Sequence, residues 1–109
     1  MNEEVNGSDD LTILKVRGDK AFDNDRERNK EYIKGLAGAI LTVLGKHQSA
    51  KLKCVGNGAL GNAYKAFCIA RGEGAKRGMD IIDRGCFGSA NFDGMEKTAL
   101  IMVLTDANK

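Results

Sequence analysis

The chain has 109 residues, 42% of them hydrophobic and 29% charged, with a formal net charge of +2. That length and balance fit one globular domain with a modest core and exclude a wholly disordered chain. No apolar run approaches the roughly 18 residues of a membrane helix, and no basic-then-apolar start is present, so neither a membrane span nor a secretory signal is expected.

The charge is uneven. Residues 1–10 hold Glu3, Glu4, Asp9 and Asp10 and no base, whereas Lys46–Arg84 holds eight bases against Glu73, Asp80 and Asp83. An acidic start on a mildly basic body is compatible with a polyanionic partner. The three cysteines, Cys54, Cys68 and Cys86, form no C-x-x-C, and His47 is the single histidine. A structural zinc site is therefore not expected. Reduced, mostly buried thiols in a cytoplasmic protein are the expectation.

In chain order, Met1–Asp10 is polar and acidic and is expected to be a disordered leader. The rest, 11–109, reads as a single domain. Leu11–Val16 alternates as a first strand, with Thr12, Leu14 and Val16 on one face and Leu11, Ile13 and Lys15 on the other. Arg17–Asn29 is a charged loop. Its Asp23, Asp25 and Glu27 lack the central glycine and terminal glutamate of a calcium loop, so no metal is expected. Lys30–Gly45 reads as a helix with Ile33, Leu36, Ala37, Ile40 and Leu44 on one side. Gly35 and Gly38 are poor helix formers whose expected use is close approach to a neighbouring backbone. Ala50–Val55 is a second strand, with Leu52 and Cys54 inward and Lys51 and Lys53 outward. The helix between the two strands makes them parallel by default.

The stretch Leu52–Gly72, LKCVGNGALGNAYKAFCIARG, organises the remainder. Gly56-Asn57-Gly58 breaks the strand, and Ala59–Arg71 reads as a second helix stopped by Gly72. Ala59, Ala63, Ala66 and Ala70 recur at helical spacing, so a stripe of methyls lets this helix pack closely. Asn62, Lys65 and Arg71 are left for solvent or a partner. Met79–Arg84 is a third strand, Gly85–Phe92 reads as irregular with Gly88 a candidate bulge, and Asp93-Gly94 is a hairpin signal. Lys97–Leu104 is a fourth strand, apolar on both faces over Ala99–Leu104, as suits a strand with two neighbours. Thr105–Lys109 is expected to fray. The order is β-α-β-α-β-β: an α+β, two-layer domain with one mixed four-stranded sheet and two helices on one face.

Gly56-x-Gly58-x-x-Gly61 matches a dinucleotide fingerprint literally, and Asp80 and Asp83 lie downstream of it. Only a hairpin follows the helix, so no second half exists to receive a dinucleotide. A tight turn and a helix start packed against the sheet explain the glycines without a ligand. No cofactor and no enzymatic constellation is expected. Ile13, Val55 and one face of Ala99–Leu104 lie on the open sheet face, an apolar patch of the kind that marks an interface, and a homodimer or tetramer with the second helix or the hairpin between the third and fourth strands in the contact is expected.

The sequence Gly56-x-Gly58-Ala59-Leu60-x-x-Ala63-x-Lys65-Ala66-x-x-Ile69-Ala70-Arg71-Gly72 resembles the signature of the bacterial stage V sporulation protein S family. Leu14-Lys15-Val16, Leu36-Ala37-Gly38-Ala39, Gly78-x-Asp80 and Asp93-Gly94 with Lys97-Thr98-Ala99 extend the likeness across most of Leu11–Leu104. The resemblance implies an Alba-like fold and a small, non-enzymatic, oligomeric protein that binds nucleic acid and acts in developmental regulation. The expected phosphate contacts are Arg17, Lys20, Lys65, Arg71, Lys76, Arg77 and Lys97, with Asn57 and Gly58 at the second helix start. Asn57 and Ala59 are neutral, so the helix start is expected to be the weaker contact. Nothing in the sequence implies base-specific readout or separates DNA from RNA. The rival reading is an oligomeric protein–protein scaffold, and the weakest is an anion-binding module built on Gly56–Gly61.

Overall fold

Alternation in Ser49–Cys54 (β2) sets the two sides of the sheet. Ala50, Leu52 and Cys54 are buried while Ser49, Lys51 and Lys53 remain half-exposed, as a strand with one covered face requires. In the computed structural model, which describes residues 10–109, β2 lies beside the short edge strand Ile13–Lys15 (β1), parallel, with Leu14 opposite Leu52. On its other side is Met95–Asp106 (β4), antiparallel, with Leu52 opposite Met102. The final neighbour is Ile81–Phe92 (β3), antiparallel to β4 along its whole length. The sheet order is β1-β2-β4-β3, so β4 is flanked on both sides, as its two-sided apolar sequence predicts.

Two helices cover one face. Arg26–Lys46 (α1) turns Ile33, Leu36, Ala37, Ile40, Leu41 and Leu44 inward, and Asn57–Ala75 (α2) turns Ala59, Ala63, Ala66, Phe67 and Ala70 inward. The largest fully buried side chains are Ile40, Leu44, Leu52, Ile81 and Leu104, drawn from α1 and three strands. The alanine stripe of α2 therefore does what its spacing implies: it brings the helix axis close while α1 and the strands supply the bulk.

Several boundaries differ from the sequence reading, each for a local reason. Helix α1 begins within the expected loop because Asp25 caps it, accepting from the amides of Glu27 at 3.0 Å and Arg28 at 3.2 Å. Before it, Asp19–Phe22 forms one 3-10 turn. Gly72 does not stop α2. The helix runs to Ala75, and the left-handed residue beyond it is Gly78, at φ +81°. Gly85–Phe92 is regular strand with no bulge: Gly88 pairs in register with Ala99, and a Cβ there would fall 2.4 Å from Ile101 Cδ1. Asp93 and Gly94 both have positive φ, as a two-residue hairpin turn of this type demands. Strand β4 continues to Asp106, whose carboxylate accepts from the amides of Asp80 and Asn108. Those bonds hold it below the usual carboxylate range.

Gly35 and Gly38 have no neighbour within 4 Å of a built Cβ, so they do not mediate the expected backbone approach. Gly18 does: its Cβ would lie 3.0 Å from the Ala59 amide nitrogen. The expected leader lies outside the described residues except for Asp10, which closes a turn onto Thr12. Among the described residues, no helix is long and apolar enough to cross a membrane.

Cys54 is buried, whereas Cys68 and Cys86 are exposed, so the expectation of mostly buried thiols holds for one of the three. Burial, with a smaller push from Asp83, raises the Cys54 thiol to about 11. Two thiols should therefore react with a disulfide reagent in the native protein at neutral pH, and the third only on unfolding. A native titration that reaches all three at once would contradict this placement. Ala66 is fully buried mid-helix, so Ala66→Leu should lower stability by about 1–3 kcal/mol through overpacking, read from urea unfolding.

Candidate nucleic-acid interface

The register of the sheet assembles a surface that no single segment of sequence displays. On the face turned away from the helices, Lys15 of β1 lies directly opposite Lys53 of β2. Lys51 lies opposite Val103, and Val103 opposite Arg84 of β3. Further along, Lys97 of β4 pairs with Ala90. Between these bases run Ile13, Ile82, Ile101 and Val103, all half-buried. Alternation sends the strand carboxylates the other way: Asp83, Glu96 and Asp106 stand at helix-side positions. Among the described residues, the open face thus carries Lys15, Lys51, Lys53, Arg84 and Lys97 and no strand carboxylate.

The residues expected from sequence fall into separate places. Lys97 stands on this face. Arg17 follows β1 at the Lys15–Lys53 end, and its backbone is held from both sides. Its amide donates to the Tyr32 hydroxyl at 2.9 Å, and its carbonyl accepts from Asn62 Nδ2 at 2.8 Å. Its side chain is left exposed. Lys20 is exposed on the 3-10 turn. Arg71 is committed elsewhere: it pairs with Asp80 at 2.8 Å and donates to the Ile81 carbonyl, tying α2 to β3. Lys76 pairs with Glu73 at 3.2 Å, and Arg77 is exposed beyond the helix end. The expected set Arg71, Lys76 and Arg77 is therefore not a cluster of three unengaged cations.

Asn57 and Gly58 sit at the start of α2, exposed. The carboxylate of Asp19 lies over them, with its Oδ1 3.1 Å from where a Cβ on Gly58 would be. Negative charge already occupies the positive end of the helix, which weakens it as a phosphate site. Gly56, at φ +92°, makes the turn, and Gly58 admits the Gly18–Asp19 backbone. Gly61 has nothing within 4 Å of a built Cβ, so the third glycine lacks the packing role it has in a dinucleotide fingerprint. Lys65 lies in a groove between the two helices, with Arg26, Lys30 and Lys34 opposite.

Lys15, Lys51, Lys53 and Arg84 were absent from the sequence expectation. The outward direction of Lys51 and Lys53 was readable, but their proximity to Lys15 and Arg84 depends on strand order. Asn62 was also misplaced. It is buried, at 3% exposed, and exchanges two hydrogen bonds with Asn29 besides holding Arg17. Its position three residues after Ala59, on the small-residue stripe, was the available signal.

A two-layer β-α-β-α-β-β chain with this motif at the second helix has the form of a small sporulation-related regulatory family, as the family match shows. The model of stage V sporulation protein S matches residues 29–107, well over half of the chain, and the protein belongs to that family. The match starts inside α1, so β1 and the Arg17 segment precede it.

Asn62→Ala should leave the Arg17 carbonyl and the Asn29 amide short of partners and destabilise the fold by about 1–3 kcal/mol. Unfolding at the parental urea midpoint would mean that water replaces both bonds.

Proposed function

We propose that this protein is a non-enzymatic regulator that binds nucleic acid, DNA or RNA, by phosphate contacts across the open face of its sheet. The observation that carries the reading is the array Lys15, Lys51, Lys53, Arg84 and Lys97 with no strand carboxylate among them. Lysine and arginine neutralise phosphates without reading bases. The aliphatic residues between them offer no hydrogen-bond donors or acceptors to a base edge, so little sequence preference is expected.

On this reading the protein acts as a homodimer or tetramer in the cytoplasm. Two exposed free thiols, Cys68 and Cys86, fit a reducing compartment. Self-association through the basic face would set lysine against lysine. Met95, at the hairpin end, stands exposed on the open face, whereas Phe87 and Leu100 stand exposed on the helix side. Phe87, 78% exposed, and Leu100 join Leu60 around a groove of about 360 Å³. On this reading the oligomer contact lies at α2 and the β3–β4 hairpin, as the sequence expectation has it, and not across the open sheet face. That groove also supports the second reading, an oligomeric scaffold whose partners are proteins.

The discriminating measurement is binding to duplex DNA, single-stranded DNA and RNA across a salt series. Lys51→Ala, Lys53→Ala and Arg84→Ala together should weaken duplex binding and flatten the slope of log affinity against log salt by about 2–3 units. Lys76→Ala with Arg77→Ala should change it less, because Lys76 is already paired. A parental slope in the triple variant would sink the sheet-face site. Light scattering that finds only the 11.7 kDa monomer at working concentration would remove the oligomer.

A further inference from the structure

A second charged surface lies on the opposite layer of the molecule. Helices α1 and α2 flank a groove of about 710 Å³, within the usual size of a small-ligand site. Arg26, Lys30 and Lys34 follow one another at intervals of four along α1, which places them in a row on one helix face. Lys65 faces them from α2. Like charges at this helical spacing repel, and among the described residues none of these four bases makes an ion pair. Tyr64, beside Lys65, is 53% exposed and lines the groove. Its ring is braced by Phe67, edge-on at 5.5 Å between centroids, so one aromatic group is presented to the groove without being free to collapse into the core.

We propose that this groove is a separate nucleic-acid site that holds an unpaired nucleotide of a single strand. The base stacks on Tyr64, and its flanking phosphates contact Lys30, Lys34 and Lys65. An exposed aromatic ring flanked by bases is what sequence-tolerant single-strand binding requires, because each base has a π-face and each phosphate a charge. A duplex keeps its bases stacked internally and has none to offer. The groove is polar along its length. Asp19 lies at the end near the starts of both helices, and Lys34 lies two turns further along α1. Phosphates are therefore directed toward the Lys34–Lys65 end, and a base amino group can donate to Asp19. The site goes beyond the sheet-face reading and does not depend on it.

The test compares a short oligouridylate with a short duplex on the full chain, using four variants and the combination of Tyr64→Leu with the sheet-face variant. Tyr64→Leu should weaken the single strand about 5- to 100-fold and leave duplex affinity within about twofold, while Tyr64→Phe should restore single-strand affinity because the ring is kept. Lys30→Ala, Lys34→Ala and Lys65→Ala together should also weaken the single strand and flatten its salt slope by about 2 units. Lys51→Ala, Lys53→Ala and Arg84→Ala together should act on the duplex while preserving the effect of Tyr64→Leu on the single strand. Melting curves of each variant confirm the fold. Single-strand binding untouched by Tyr64→Leu, or Tyr64→Leu weakening both probes equally, overturns the groove site. Duplex binding that ignores the sheet-face variant, beside single-strand binding that depends on Tyr64, upholds the groove and removes the sheet-face site.

Discussion

Pairing of β2 between β1 and β4 is the constraint on which the rest of the molecule depends. Its alternation buries Ala50, Leu52 and Cys54 and turns out Lys51 and Lys53. A slip of one residue would drive both lysines into the core and expose its centre. The same register places Leu14 and Met102 on either side of Leu52 and so builds the floor on which both helices pack. The core and the basic face are two readings of one hydrogen-bond ladder, and neither can be altered by sliding a strand without losing the other.

The second constraint is the closeness of α2 to what lies beneath it. Ala63, Ala66 and Ala70 are fully buried, and Gly74 approaches Ile81 so closely that a Cβ would fall 2.9 Å from its Cδ1. At the other end Gly18 lies against the Gly58–Ala59 backbone. Small residues at both ends of one helix fix its height above the sheet. That height brings Asn62 within reach of Asn29 and Arg17, and it sets Tyr64 and Lys65 across from the row of bases on α1.

Element order and sheet polarity were legible in the sequence because they rest on local signals: alternation in β2, helical spacing in α1, and Asp93-Gly94 before β4. The second half of β3 was not. Gly85, Gly88, Ser89 and Asn91 have little intrinsic preference for strand, and pairing with β4 imposes it. The opposite error arose at Gly35 and Gly38, where a correct observation about helix propensity led to a contact the fold does not make. The charged site was legible only in part. Lys97 and Lys65 could be named, but Lys15, Lys51 and Arg84 become neighbours through β-ladders that join distant segments. Arg71 could be named for its charge, yet its pairing with Asp80 is a tertiary fact.

The β3–β4 hairpin has a further consequence. Residues Leu100–Thr105 of β4 hydrogen-bond to strands on both sides, whereas Met95–Ala99 have β3 alone. One continuous ribbon therefore contains two levels of local stability. Amide protons should exchange slowly at its base and quickly toward Asp93-Gly94, so the tip can open while the sheet beneath it stays closed. Phe87 and Leu100, paired directly across the ribbon, mark the border between the two regimes. Whatever docks against that apolar pair would quench the opening of the tip, and the hairpin's exchange rate would report the docking from a distance.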